Sequence, residues 1–487
     1  MLNGYEARRL FHKGRGHGGM LGVPNHMLDL SLPPDEWFDQ QLDHFNPTDM
    51  RTWKQRYFTN ASFHVPGGPV FLMIGGEGTA SPKWMVQGQW INYAQKYKAL
   101  CFQLEHRFYG KSHPTSDLST KNLVYLSSEQ ALADLAYFIR GMTEKYRLPA
   151  DTKWIAFGGS YPGSLAAWLR AKYPYLVHGS MSASGPLLAI ADFKEYFEVV
   201  RDDLLLYKTS CIDAVKEANK QIHLLLKHPI GQRTINKLFY LCDPIDVKNK
   251  NDVSNLYESL AGNLAGVAQY NKDNREGTHN ITLDTVCDVM SNQSIGTPVH
   301  RFAAVNNILL QASDEKCLDY KYDKMIKELQ NTDWTPEEGA RAWTYQTCTE
   351  FGFYQTSALT TDMFGNEFPV NFFIQQCSDI FGSSSSNQHQ MQGIERTNTL
   401  YGALQQYATR IVYVHGSVDP WHALGITKTL ISQSPAIYIN GTAHCANMYP
   451  SSPNDLPQLV EAREKISNLI GVWLTEKELT KITKNVE

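Results

Sequence analysis

Trp154-Ile155-Ala156-Phe157-Gly158-Gly159-Ser160-Tyr161-Pro162-Gly163-Ser164-Leu165-Ala166-Ala167-Trp168 runs from an apolar segment, through small residues around one serine, into helical spacing. The order predicts a strand, a sharp turn and a helix, with the Ser160 hydroxyl at the tip of the turn. Small neighbours suit a turn that passes close to adjacent strands. A helix beginning behind the serine aims its N–H groups and positive dipole end at any oxyanion formed there. The spacing Gly-x-Ser-x-Gly is met imperfectly, because Pro162 takes the last place and Gly163 comes one residue late. Proline lacks an N–H and disfavours helical geometry before it, yet is tolerated in a first helical turn. The N–H that an oxyanion hole needs belongs to Tyr161 and is intact. An ordinary strand-to-helix turn gives the same pattern, so partners for Ser160 decide the matter.

Working outward, Trp37–Phe45 and Trp53–Phe58 read as two strands joined through Asn46-Pro47-Thr48-Asp49. Pro69–Ile74 is a continuous apolar run of the kind buried on both faces, and it ends in Gly75-Gly76-Glu77-Gly78. A helical stretch over 87–97 precedes another buried strand, which ends in Glu105-His106-Arg107-Phe108-Tyr109-Gly110. Ser127–Tyr146 has helical periodicity with a serine cap, and Val177–Ser184 reads as a short strand. Alternating strands and helices predict an α/β fold with a mostly parallel sheet covered on both faces. From 195 to 390 helical periodicity takes over, ending near the loop Gly382–Asn387. Strand character returns at Arg410–Gly416, followed by a helix, a strand at Ala436–Asn440 and a closing helix over 456–474. The expected organisation is a flexible leader over 1–30, a first α/β part over 31–194 and an inserted helical, disulfide-rich cap over 195–390. A second α/β part over 391–475 and a polar tail over 476–487 follow.

With 487 residues, 42% of them hydrophobic, the chain can bury a large core, and a net charge of -4 argues against nucleic acid as a partner. No segment reaches the ~18 apolar residues of a membrane span. The eight cysteines show no zinc-ligand spacing, so no metal or other cofactor is expected. Cys211, Cys242, Cys287, Cys317 and Cys348 cluster in the helical block. Sequons at Asn60, Asn280, Asn292 and Asn440 support an oxidising route. Residues 1–27 carry Arg8, Arg9, Lys13 and Arg15 among glycines, with no apolar region of signal-peptide length. The expectation is that a signal peptide is missing from the start. The expected place is then outside the cell or in the endosomal or lysosomal lumen. The alternative is a cytosolic protein whose cysteines and sequons are idle.

A serine needs a base, and the base a carboxylate to orient it. The two late strands supply both at their C-terminal ends, where ligands meet parallel sheets. Asp419 follows the first in Val418-Asp419-Pro420-Trp421, and His444 follows the second in Gly441-Thr442-Ala443-His444-Cys445. The order serine, acid, histidine is that of the α/β-hydrolase fold. An Asp before Pro is commonly a helix cap, and a lone His after a strand is commonly structural. His415 and His106 are rival bases, although His415 precedes the acid in the chain. The second oxyanion donor is expected from the loop after an earlier strand, with Gly76 or Glu77 offering the N–H. Glu77 also offers a carboxylate to a cationic amino terminus.

With these residues assembled, the chain resembles the serine carboxypeptidase family that holds prolyl carboxypeptidase, dipeptidyl peptidase II and the thymus-specific serine protease. The resemblance runs from about Trp37 to about Trp473. It is carried by Gln41–Phe45, Gly75–Gly78, Glu105–Gly110, Phe157–Tyr161, Tyr345–Gly352, Val418–Trp421 and the loop of His444. Ser164–Trp168, Cys348–Phe353 and His444-Cys445 look most like the thymus-specific branch. The resemblance implies an α/β-hydrolase domain with an inserted helical cap that admits chain ends. It implies a serine exopeptidase cleaving peptide substrates next to proline, with Ser160 as nucleophile, Asp419 as orienter and His444 as base. Tyr161 and Gly76 would supply the oxyanion hole, and Trp421 would line the pocket for the residue before the scissile bond. It further implies the disulfides Cys211–Cys287, Cys242–Cys317 and Cys348–Cys377, with Cys101 and Cys445 left over. Pro162 stands where prolyl carboxypeptidase has glycine, and Ser164 where it has a pocket methionine, which weakens the proline preference. A homodimer remains an open option. The rival readings are an esterase or lipase on the same fold, and a catalytically silent binding protein.

Overall fold

The computed structural model describes residues 21–24, 31–272, 281–334, 338–357, 363–383 and 385–476. Most of the leader, the sequon at Asn280 and the tail beyond 476 lie outside these residues.

Among the described residues ten strands follow in chain order: β1 (Glu36–Gln41), β2 (Thr52–Asn60), β3 (Val70–Ile74), β4 (Leu100–Leu104), β5 (Trp154–Gly159), β6 (Gly179–Ala183), β7 (Ile190–Asp192), β8 (Gly352–Tyr354), β9 (Ile411–Gly416) and β10 (Ala436–Ile439). Eight form one sheet in the order β1-β2-β4-β3-β5-β6-β9-β10. The pairs β1–β2 and β2–β4 are antiparallel, and every later pair is parallel. Side chains alternate between the two faces of a strand. Val70, Leu72 and Ile74 accordingly join one core, with Trp154 and Ala156. Phe71 and Met73 join the other, with Ile155 and Phe157. The helices Ser128–Lys145 and Tyr161–Lys172 cover the first face, and Gln89–Tyr97 and Pro457–Thr475 the second. Burial on both sides is why these strands read as unbroken apolar runs. This is an α/β-hydrolase fold.

Local rules account for the element ends. Ser127 accepts the Gln130 N–H at 3.1 Å and starts its helix where expected. β1 stops at Gln41 rather than continuing to Phe45. There Arg107 holds the Leu42 carbonyl at 3.0 Å, and the His44 ring turns to Asp134 at 2.8 Å. Between β9 and β10 the expected helix is only the short 3-10 turn Pro420–Leu424, which Asp419 caps and Gly425 follows.

The block after 195 contains the helices Glu195–Tyr207, Thr209–Leu226, Lys250–Gln269, Leu283–Ser291 and Pro298–Ala312, among others. It also contains β8, which pairs in parallel with β7 across Ile190–Gly352 and Asp192–Tyr354. Three-residue strands leave no periodic signature, so this pair was not legible beforehand. The helix Asn387–Tyr401 runs through residue 390. Disulfides join Cys211 to Cys287, Cys242 to Cys317 and Cys348 to Cys377, while Cys101 and Cys445 are buried free thiols.

Candidate active site

The elbow is built by contact. β5 ends at Gly159, and Ser160 caps the helix Tyr161–Lys172 with φ 67° and ψ -134°. That backbone is costly for a residue with a Cβ and is characteristic of a side chain held in place for a task. The Ser160 N–H is anchored on the Ala183 carbonyl of β6 at 2.9 Å. A Cβ on Gly158 would lie 1.9 Å from the Pro162 carbonyl oxygen, and one on Gly163 2.5 Å from the Ala183 oxygen. The glycine that clears the neighbouring strand is thus Gly163, which leaves residue 162 free to be proline. The Tyr161 N–H, at the first helical position, has no acceptor within its helix.

Asp419 and His444 arrive from the loops after β9 and β10. Asp419 Oδ1 accepts the Trp421 N–H at 3.0 Å, and His444 Nδ1 meets the same oxygen at 2.9 Å. Cys445 takes φ 56° and donates its N–H to Ser184 Oγ at 2.9 Å. Its Sγ faces the Ala183 oxygen at 3.9 Å, the oxygen that also anchors Ser160. The histidine loop is thereby brought to the elbow. Ser160, Asp419 and His444 are 0%, 0% and 1% exposed, so their electrostatics act in a dry environment. Burial opposes the Asp419 carboxylate, yet His444 outweighs it and holds the carboxyl below its usual range. Burial likewise disfavours a charged His444, yet the Asp419 carboxylate prevails and raises it well above an ordinary histidine.

Neither rival histidine is hydrogen-bonded to a carboxylate, and the charges of Asp134 near His106 and Asp419 near His415 do not outweigh burial. Burial lowers His106 to about 4, and its ring nitrogens meet the Arg107 carbonyl at 2.7 Å and the Tyr161 hydroxyl at 3.1 Å. His415 is lowered by burial to about 4 as well, and neither ring nitrogen has a hydrogen-bond partner. Gly425 lies flat on it: a Cβ there would be 2.0 Å from His415 Cε1.

The glycine loop after β3 reaches the elbow from the other side. The Gly75 N–H is fixed on the Leu104 carbonyl at 2.8 Å, and a Cβ on Gly76 would lie 2.5 Å from Pro162 Cγ. Glu77 follows, fully buried, and neither carboxyl oxygen has a hydrogen-bond partner. Burial raises it to about 8, and His444 is the charged neighbour that acts against this. Trp421 is buried among Phe193, Tyr196 and Phe353, and its indole N–H donates to Gln269 Oε1 at 2.9 Å. Ser164 points beneath the elbow and donates to the Pro186 carbonyl at 2.7 Å. Of the described sequons, Asn292 and Asn440 are exposed, whereas Asn60 donates its amide to the Met85 carbonyl at 2.7 Å.

Several supporting residues went unassigned in the sequence. Glu105 takes Arg56 in a buried pair and accepts the Ala80 and Lys111 N–H groups at 3.0 Å each. Arg107 grips Asp134 with two bonds of 2.6 Å. The stretch Glu105–Gly110 therefore secures the wall behind the elbow, and charges following an apolar run were the available signal. Gln346 donates to the Tyr161 hydroxyl at 3.1 Å and to Glu350 at 3.0 Å. Gln269 gave no signal, since it lies 152 residues before Trp421, which it bonds.

Among the described residues no helix is long and apolar enough to cross a membrane. The profile of one family, serine carboxypeptidase S28, matches residues 40–466. A Caenorhabditis elegans protein bearing a serine protease name is 37% identical over 487 residues, covering 97% of this chain and 95% of its own. The thymus-specific serine protease of Mus musculus is 35% identical, covering 92% of this chain and 88% of its own. The lysosomal Pro-X carboxypeptidase of Homo sapiens is 27% identical, covering 90% and 88% respectively.

Proposed function

The chain belongs to the serine carboxypeptidase S28 family and is a serine-type peptidase with peptides as substrates, and on that premise we propose that it is an exopeptidase working through Ser160, His444 and Asp419. The observation that carries this reading is the 2.9 Å contact between His444 Nδ1 and Asp419 Oδ1, in a loop brought against the elbow of Ser160. With Nδ1 committed to the carboxylate, Nε2 is the nitrogen that takes the Ser160 proton. Ser160 Oγ then bonds the peptide carbonyl carbon. The oxyanion is held by the Tyr161 and Gly76 N–H groups. His444 passes its proton to the departing amine, and the C–N bond breaks. Water repeats the sequence on the acyl-enzyme and frees Ser160.

Glu77 is the anchor for a free amino terminus in this reading. A buried carboxyl without a partner is costly, and an ammonium group is the ligand that relieves the cost. Among the described residues each buried arginine already has a partner. Arg56 and Arg107 hold acids, Arg170 and Arg341 hold carbonyls, and Arg463 holds Asp455. Removal of residues from the amino end, with proline before the scissile bond, is therefore the favoured mode. Trp421 and Phe353 would form the apolar pocket for that proline, with Ser164 lending nothing to it. The helices after 195 would act as the cap that restricts entry to chain ends. The three disulfides are compatible with a secreted or lysosomal protein, and we place it in such a compartment.

The test is mass spectrometry of products from one peptide with proline both second and next to last, with Ser160→Ala as control. Release of the amino-terminal dipeptide is expected. Release of the final residue instead would remove Glu77 from its role, and full activity in Ser160→Ala would end the reading.

A further inference from the structure

The final carbonyl of the helix Lys250–Gln269 is one that a helix leaves without an internal donor. Here it accepts the His444 N–H at 3.0 Å. The side chain of the same residue turns to the other loop. Gln269 Oε1 accepts the Trp421 indole N–H at 2.9 Å and the Tyr196 hydroxyl at 2.7 Å. An indole N–H only donates, so chemistry dictates which amide atom faces it. The Trp421 backbone N–H donates to Asp419 Oδ1 at 3.0 Å, and the His444 ring meets that oxygen at 2.9 Å. The bonds close on themselves: His444 main chain to Gln269, Gln269 side chain to Trp421, Trp421 main chain to Asp419, and Asp419 to the His444 ring. Gln269 is 5% exposed, Trp421 and His444 1%, and Asp419 0%.

A closed circuit has no free end. The base loop cannot slide past the acid loop without breaking a buried bond or moving Gln269. The helix also turns its negative dipole end toward His444, which favours the imidazolium formed as Ser160 gives up its proton. We propose that Gln269 is a positioning residue through which the helix Lys250–Gln269 holds His444 and Trp421 in register with Asp419. Seating of this helix is then a condition for turnover. The inference rests on the Ser160, His444 and Asp419 reading above.

The experiment compares Gln269→Leu, Gln269→Glu and Ser160→Ala in the full chain, by kcat, KM, pH profile and rate of fluorophosphonate labelling. Leucine removes the acceptor and strands two donors, while glutamate keeps an acceptor oxygen. Gln269→Leu is expected to lower kcat and labelling about 10- to 100-fold, the range in which a misplaced catalytic group acts. Its acidic pH limb should move down as the Asp419–His444 contact loosens, and Gln269→Glu should recover most of the labelling rate. If Gln269→Leu does not fold, Tyr196→Phe and Trp421→Phe each remove one donor, and at least one must slow labelling and move the acidic pH limb down. Wild-type kcat, labelling and pH profile in Gln269→Leu, or in both single-donor variants, overturn the proposal and leave the catalytic reading intact. Activity in Ser160→Ala overturns both.

Discussion

The ring of Pro162 rests on Gly76 so closely that a Cβ at position 76 would fall 2.5 Å from Pro162 Cγ and 2.7 Å from its Cδ. The elbow and the glycine loop after β3 are thus fitted to each other. Gly76→Ala must push one of them away, and losing one oxyanion donor costs about 100- to 1,000-fold in kcat. We expect a fall of about 100-fold with KM little changed. Adding Pro162→Gly should restore much of it by making room. Steady-state kinetics of the two single variants and the double variant measure the coupling, and simple additivity of the losses would contradict the fit.

Ser160→Ala and His444→Ala should each lower kcat by several orders of magnitude. Asp419→Asn should lower it by about 10,000-fold or less, through the wrong tautomer of His444. Removing one partner of the buried pair also costs stability, so Asp419→Asn should melt lower than Ser160→Ala. Kinetics paired with thermal unfolding separates the two effects.

Glu77 gives a pH dependence with a definite sign. Burial pushes its carboxyl up to about 8 in the fold, from an ordinary 4.5. Between those values the folded chain binds a proton that the unfolded chain has released. Stability should therefore fall as pH rises through this window, by at most about 1.4 kcal/mol per unit. Glu77→Gln should flatten the dependence and leave the variant relatively more stable at pH 8 than at pH 5. Chemical denaturation at the two pH values is the check.

The same substitution probes binding. If Glu77 receives an amino terminus, Glu77→Gln should raise KM for peptides with a free amine about tenfold or more and leave N-acetylated peptides unaffected. Equal effects on both would assign Glu77 to the oxyanion loop alone.

Cys348 lies in the π-helical turn Thr347–Phe351, beside Glu350, whose carboxylate accepts the Ser128 N–H at 2.9 Å. Its bridge to Cys377 spans 29 residues, for which loop entropy gives about 3–4 kcal/mol. Replacing both cysteines with serine should lower the melting temperature by several degrees. An unchanged melting curve would show that this turn is held by packing alone.

The alternation of apolar strand and amphipathic helix, the small residues around Ser160, and an acid and a histidine after the last two strands were all legible in the linear chain. These are local patterns, and backbone geometry with two-faced burial determines them over a few residues. The strand order, the Ala183 oxygen serving both Ser160 and the Cys445 loop, and the hydrogen bond between Asp419 and the His444 ring were not. Each depends on residues far apart in the chain meeting in a dry interior, where the Asp419 carboxylate makes its hydrogen bond with the His444 ring and none with His415. The tertiary structure alone also gives Gly163 the task of clearing β6, which turns the apparent defect at Pro162 into a fitted contact with Gly76. Sequence spacing records which residues can turn, alternate or cap. Which distant groups share one oxygen is settled only when the sheet and the helices after it close around them.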